Sequence, residues 1–115
     1  MTQPANRFFT ITLPWPPTVN TYYRVVHGRP IISKKGREYR RRVEQYVLVS
    51  RAGPPMRGRL TFRMEAYPPD LRRRDLDNLV KSVQDALQHA RVYEDDNQID
   101  LLIVARRTAR GEGEI

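Results

Sequence analysis

The chain has 115 residues, no cysteine, and 21 Lys and Arg against 13 Asp and Glu, for a formal net charge of +8. That length suits one domain able to bury a core without staples, and the missing thiols exclude cysteine nucleophiles, zinc–thiolate centres and disulfide frameworks. No apolar run approaches the roughly 20 residues needed to cross a bilayer, and the N-terminal MTQPANRFFT lacks the basic-then-apolar pattern of a signal peptide, so a soluble, cytosolic protein is expected.

RFFTITLP, from Arg7, alternates: Phe9, Ile11 and Leu13 face one way and Phe8, Thr10 and Thr12 the other, which predicts a strand. WPPTVN reads as a loop, since adjacent prolines fix φ and remove donors. YYRVV and PIIS flank HGR, the pattern of a short hairpin. From Lys35 to about Arg51, the spacing of Tyr39, Val43, Tyr46 and Val47 is helical, with Arg37, Arg40, Arg41 and Arg42 around the rest of the cylinder. AGPPMRG breaks the chain. LTFRMEAY alternates again, Leu60, Phe62, Met64 and Ala66 against Thr61, Arg63, Glu65 and Tyr67, and predicts a strand with one face toward solvent or a partner.

After the loop PPDLRRR, a second helix is marked by Leu76, Leu79, Val80, Val83, Ala86, Leu87 and Ala90. These form the stripe of an amphipathic helix packed on a sheet. VYEDDNQ is a further loop, and IDLLIVARR a strand whose nearly continuous apolar run suits a central position. No repeat, low-complexity tract or boundary interrupts residues 1–115. The expectation is a single α+β domain, with about five strands in a mixed sheet packed by two helices.

The charge is unevenly spread. Residues 1–69 carry 13 Lys and Arg against 3 Asp and Glu, whereas residues 70–115 carry 8 against 10. A basic surface of this size points to a polyanion, because each phosphate contact releases condensed counterions. No helix pairs a basic face with an exposed Trp/Phe/Leu face, as a membrane-surface helix would, so nucleic acid is the favoured partner. Yet eight of the 13 acids lie between Asp70 and Asp100, where a phosphate-binding protein needs a reason for them.

Asp75 stands where the apolar period begins, a natural N-cap, and Asp77 falls in the first turn, where a carboxylate gains from the orphan N–H groups and the helix dipole. Capping does not account for Arg72, Arg73 and Arg74, which set positive charge at the positive end of that helix and make sense if an anion arrives there. Lys81 follows Asp77 by four residues and shares its face, a spacing that also suits an ordinary ion pair. Asn78 adds a neutral oxygen or an amide donor to the same edge. Glu94, Asp95 and Asp96 taken alone read as a solvated turn, and a helix of about 15 residues, roughly 22 Å long, separates them from Asp75. If the chain turns back so that the two groups meet, three hard carboxylates without His or Cys suit Mg²⁺ or Mn²⁺. Such an ion ringed by Arg and Lys suits phosphodiester hydrolysis. His27 and His89 are isolated and read as surface or core residues, not bases. No Walker loop or dinucleotide glycine fingerprint competes.

Together LPWPPTVNTYYR, ISKKGREYRRRV, RRRDLDNLVKSVQDAL and VYEDDNQI resemble the RusA family of Holliday-junction resolvases, over nearly the whole chain. The resemblance implies that Asp75, Asp77 and Asp96 form a Mg²⁺-dependent catalytic site, with Mn²⁺ as a substitute, and that Lys81 is needed for cleavage. It implies a small protomer working as a homodimer that nicks four-way DNA junctions symmetrically in recombination and repair. The DNA contacts expected on this reading are Arg72, Arg73, Arg74, Lys34, Lys35, Arg37, Arg29 and Asn20. Two departures stand out. The family usually has glycine after the second helix, where Arg91 follows Ala90 here, and RTARGEGEI looks abbreviated, so a short or frayed last strand is expected. The competing functions are a branched-DNA-binding protein without catalysis and a nuclease acting mainly on flaps or forks.

Overall fold

The computed structural model describes residues 8–115, so the start of the first expected strand, at Arg7, lies outside the described residues. Residues 8–13 form no strand. Pro14 alone makes a β-bridge, to Glu114, which also bridges Tyr67, and Leu13 and Ile115 exchange both backbone hydrogen bonds at 2.9 Å. The last two residues thus lie between residues 13–14 and Tyr67. Among the described residues, nothing forms a ladder with residues 8–12. Phe9 and Ile11 still pack against the core: alternation says which side faces inward, but a ladder needs a second backbone.

The proline loop ends in a one-turn helix, α1 (Val19–Tyr22). The hairpin follows as expected, β1 (Tyr23–Val26) antiparallel to β2 (Arg29–Ile32). It is closed by His27 and Gly28 at φ 51° and 74°, the two positive values that a tight two-residue turn requires. Ser33 caps α2 (Lys34–Ser50), its Oγ accepting from the Gly36 N–H at 3.0 Å. A Cβ on Gly36 would stand 2.4 Å from the Tyr22 carbonyl oxygen, so only glycine lets α2 begin this close to α1. Tyr39, Val43 and Val47 are buried, while Tyr46, on the expected apolar face, is exposed.

β3 (Leu60–Ala66) runs parallel to β4 (Ile99–Arg106), and α3 (Asp77–His89) connects them. β3 alternates as predicted, with Met64 and Ala66 buried and Thr61 and Arg63 exposed. The stripe of α3 buries Leu79, Val80, Val83, Ala86 and Leu87 in a core shared with Leu13, Tyr22, Val43 and Met64.

The α+β class holds, but its details differ from expectation. Among the described residues there are four strands, not about five, arranged as two separate two-stranded sheets instead of one mixed sheet, and three α-helices instead of two. β4 is not central. It pairs with β3 alone among the described residues, because an apolar run reports what touches the two faces of a strand, not how many strands flank it. Thr108 to Ile115 contribute no strand beyond the bridges of Glu114.

Candidate functional site

Asp70 organises the loop that leads into α3. Its Oδ1 accepts from the Arg72 N–H at 2.9 Å and from Arg74 Nη1 at 2.8 Å, and the Arg74 hydrogen bond comes first among the causes that hold its carboxyl below the usual range. The Arg74 guanidinium lies 5.7 Å from the Trp15 ring centroid, within cation–π range, and the Arg74 carbonyl accepts from Arg106 Nη2. Arg74 is therefore half-buried scaffold, whereas Arg72 and Arg73 are exposed. Asp75 follows on the wall of a cavity of about 330 Å³, with Thr18, Arg73, Arg74, Asn78 and Leu79. It does not cap α3. The cap position is Leu76, in helical conformation and without a side-chain cap, because the turn before Asp77 is already wound: the Asn78 N–H reaches the Asp75 carbonyl at 3.2 Å. Asp77 sits in the first turn as expected.

With its apolar stripe turned inward, α3 presents Asp77 and Lys81 to solvent. At its far end the Arg91 N–H bonds the Gln88 carbonyl and the Val92 N–H the Leu87 carbonyl, both at 3.0 Å. Arg91 stands at φ 65°, so this is a Schellman turn with arginine in the left-handed position. The turn sends the chain back along the helix. Tyr93 is buried and forms a parallel bridge with Met56, and the acidic turn then lies against the middle of α3. Lys81 Nζ donates to Asp96 Oδ2 at 3.2 Å, and the Asp96 N–H donates to Gln88 Oε1 at 3.0 Å. The Tyr93 hydroxyl lies 2.6 Å from Asp96 Oδ1 and 2.7 Å from the Gln84 carbonyl. Burial first, and the Asp96 hydrogen bond second, push the pKa of that hydroxyl up, so it remains a donor.

Asp95 serves the turn itself, capping the 3₁₀ turn Asp96–Gln98 by accepting from the Asn97 N–H at 3.0 Å. Gln98, buried, uses both ends of its amide. Oε1 accepts from the Glu94 and Asp95 N–H groups at 2.8 Å, and Nε2 donates to the carbonyls of Met56 and Gly58 at 3.1 and 3.0 Å. Gln98, Tyr93 and Gln88 are the residues that aim Asp96, and none was singled out in the sequence. Only the capping pattern Asp95-x-x-Gln98 offered a signal.

The structure thus joins Asp96 to Lys81, one turn beyond Asp77, while Asp75 occupies its own cavity at the start of the helix. Among the described residues no three His, Cys, Asp or Glu side chains form a group that could hold a metal ion. The donor chemistry nevertheless suits a hard divalent cation, since Asp75, Asp77 and Asp96 offer only oxygen. Other acids of the stretch are engaged elsewhere: Glu94 with Arg57 at 3.3 Å, Asp100 with Arg59, and Asp85 with Arg40 at 2.7 Å. Asp75 and Asp77 form no ion pair among the described residues despite the arginines beside them.

A second cluster was not foreseen. Tyr22 donates to Asp85, and Arg40 Nε and Nη2 donate to the same carboxylate at 2.9 and 2.7 Å, tying α1, α2 and α3 together. Burial pushes the Tyr23 hydroxyl, beside it, up to about 12. His89 is not isolated; its Nε2 lies 2.6 Å from Glu44 on α2, an exposed contact between helices. Lys34, Lys35 and Arg37 are exposed in the first turn of α2, with Arg37 donating to the Ile32 carbonyl at 3.1 Å. Arg29 and Asn20 are exposed on β2 and α1.

The family model described as Endodeoxyribonuclease RusA matches residues 14–115. The chain is 41% identical over 98 residues to the crossover junction endodeoxyribonuclease of Enterobacteria phage HK97, covering 85% of this chain and 82% of that protein. It is 40% identical over 104 residues to the protein of the same name from Shigella sonnei strain Ss046, and 39% to that of Escherichia coli strain K12, each covering 90% of this chain and 87% of the relative.

Proposed function

The chain belongs to the RusA family of endodeoxyribonucleases, and on that premise we propose a Mg²⁺-dependent endonuclease that resolves four-way DNA junctions by paired, symmetric nicks. The observation that carries this reading is the return of the acidic turn onto α3, with Asp96 at 3.2 Å from Lys81. It brings the second carboxylate group back toward the helix that bears Asp77.

Asp75, Asp77 and Asp96 are the residues that would hold the divalent cation. The chemistry Mg²⁺ supplies when bound is charge neutralisation at the phosphodiester and acidification of water. Lys81 places an ammonium where the phosphoryl oxygens gain charge, a donor of the kind worth several kcal/mol in a transition state. Water attacks phosphorus in line and the 3′ oxygen leaves with a proton, giving a 5′-phosphate and a 3′-hydroxyl. Arg72, Arg73, Lys34, Lys35, Arg37, Arg29 and Asn20 grip the arms, and Arg74 braces the loop against Trp15. Because a junction has approximate two-fold symmetry, a homodimer with one site per subunit fits two opposed cuts. Selectivity then comes mainly from branch shape and phosphate positions. No helix among the described residues is long and apolar enough to cross a membrane, in keeping with a cytoplasmic enzyme acting on DNA.

The test is nicking of a labelled synthetic four-way junction in Mg²⁺. Asp75→Asn, Asp77→Asn and Asp96→Asn are each expected to abolish nicking while binding stays within a few-fold of wild type. Full nicking by any of them would overturn the site, and wild-type binding without cleavage would leave only a binding protein. Faster cutting of linear duplex, flap or fork than of the junction would displace the resolvase reading.

A further inference from the structure

A cavity of about 230 Å³ adjoins the one that holds Asp75, and the two share Arg74 and Leu79 as common wall. Its lining is largely carbon, from Trp15, Ala66, Pro68, Leu76 and Leu79. An anion seated there would lose its hydration against apolar walls, so the cavity does not suit a phosphate. It is smaller than the roughly 300–1,000 Å³ of pockets for drug-sized ligands, and so suits one flat ring system. Asp70 supplies a polar edge. Its Oδ1 takes the Arg72 N–H and Arg74 Nη1, whereas Oδ2 lies 3.7 Å from Arg72 Nε. That is beyond hydrogen-bond length, so Oδ2 keeps lone pairs for an N–H at a ring edge.

The walls are held in place by the protein itself. Arg74 is fixed by Asp70 and lies 5.7 Å from the Trp15 ring centroid, and its carbonyl accepts from Arg106 Nη2. Leu71 lines the same cavity and is 92% exposed, so it stands at the rim. A lone exposed leucine means nothing by itself. This one sits at an apolar cavity, with the exposed cations Arg72 and Arg73 following it in the chain. Apolar side chains so placed insert between base steps where proteins unstack DNA.

We propose that this cavity receives one nucleobase extruded from the branch point of the DNA, beside the phosphate that is cut, and that Leu71 fills the gap left in the stack. The base packs against Trp15 and gives an N–H to Asp70, while Arg72 takes a flanking phosphate. Because the two cavities share a wall, the backbone of the extruded nucleotide runs toward Asp75. Extrusion costs pairing and stacking, least where these are already weakened. A branch point, where strands part, offers such a place and a linear duplex does not. The inference rests on the junction-nuclease reading for its substrate, and it names how that site would tell a junction from a duplex.

Trp15 is the single tryptophan of the chain, so its emission reports on the cavity directly. Synthetic four-way junctions are titrated into the full chain without divalent metal, which separates binding from cutting. One junction carries every base, and in the others one branch-point nucleotide at a time is abasic. The intact junction is expected to quench Trp15, and loss of one particular base to abolish most of that quenching, while the other abasic junctions behave as the intact one. Trp15→Leu and Leu71→Ser are each expected to weaken binding of the intact junction about tenfold and of linear duplex less than about twofold, with circular dichroism confirming the folds. If Trp15→Leu does not fold, Leu71→Ser at its exposed position carries this arm. Equal quenching by every abasic junction, or equal losses on junction and duplex, overturns the base site. If junctions are still nicked in Mg²⁺ in that case, the nuclease reading stands without it. Base-dependent quenching by a chain that nicks no junction keeps the base site and removes the nuclease reading instead.

Discussion

Lys81 and Asp96 show how little one ion pair says by itself. Their side chains are 52% and 25% exposed, and such a pair is worth about 0–1 kcal/mol to folding. Stability alone does not account for the buried Tyr93 hydroxyl, the Gln88 amide and the two-ended Gln98 clamp that together aim Asp96. The pair separates a structural role from a chemical one. Lys81→Met is expected to shift unfolding free energy by less than about 1 kcal/mol while slowing junction nicking by about 100-fold or more. Urea titration and single-turnover nicking check the two halves, and a loss of activity matched by a comparable loss of fold would reduce Lys81 to scaffolding.

At the scale of elements, the end of α3 carries the local strain. The turn after α3 needs a left-handed residue, and an arginine occupies it at φ 65°. Glycine adopts that conformation without a steric penalty. Arg91→Gly is therefore expected to stabilise the protein by about 1 kcal/mol, read as a higher midpoint in thermal unfolding, with nicking unchanged because the path of the turn is kept. No rise in the midpoint would mean that the Arg91 side chain contributes interactions that offset its backbone cost. This turn was legible in outline: the end of the apolar stripe at Ala90 marked where the helix had to stop. The winding of Leu76 into the cap position was not, because a side-chain cap is one of several ways to start a helix, and Asp75 only looked like one.

Across the whole molecule, the Tyr22–Arg40–Asp85 cluster joins three helices through one carboxylate. Burial on its own would raise the Asp85 pKa, but the hydrogen bonds from Tyr22 and Arg40 outweigh it and the net shift is downward. A carboxyl depressed in the folded state contributes stability above its unfolded value, near about 3.9, and loses it as pH falls through the lower folded value. Asp85→Asn is thus expected to cost about 1–3 kcal/mol at neutral pH, with the gap to wild type closing below about pH 4 in urea unfolding at stepped pH. A gap constant from pH 7 to pH 3 would mean that ionisation of Asp85 is not what holds the helices. The sequence by itself determined a helix from Lys35 to about Arg51, the amphipathic helix of the stripe Leu76–Ala90, the hairpin, the strand beginning at Leu60 and the residue types of the candidate site, because periodicity, turn chemistry and donor hardness are local properties. Only the tertiary structure decided that Asp96 returns to Lys81, that Gln98 clamps its turn, that residues 8–13 lack a ladder and that β4 is an edge. Each depends on which distant backbone comes alongside, and that follows from the packing of the whole core.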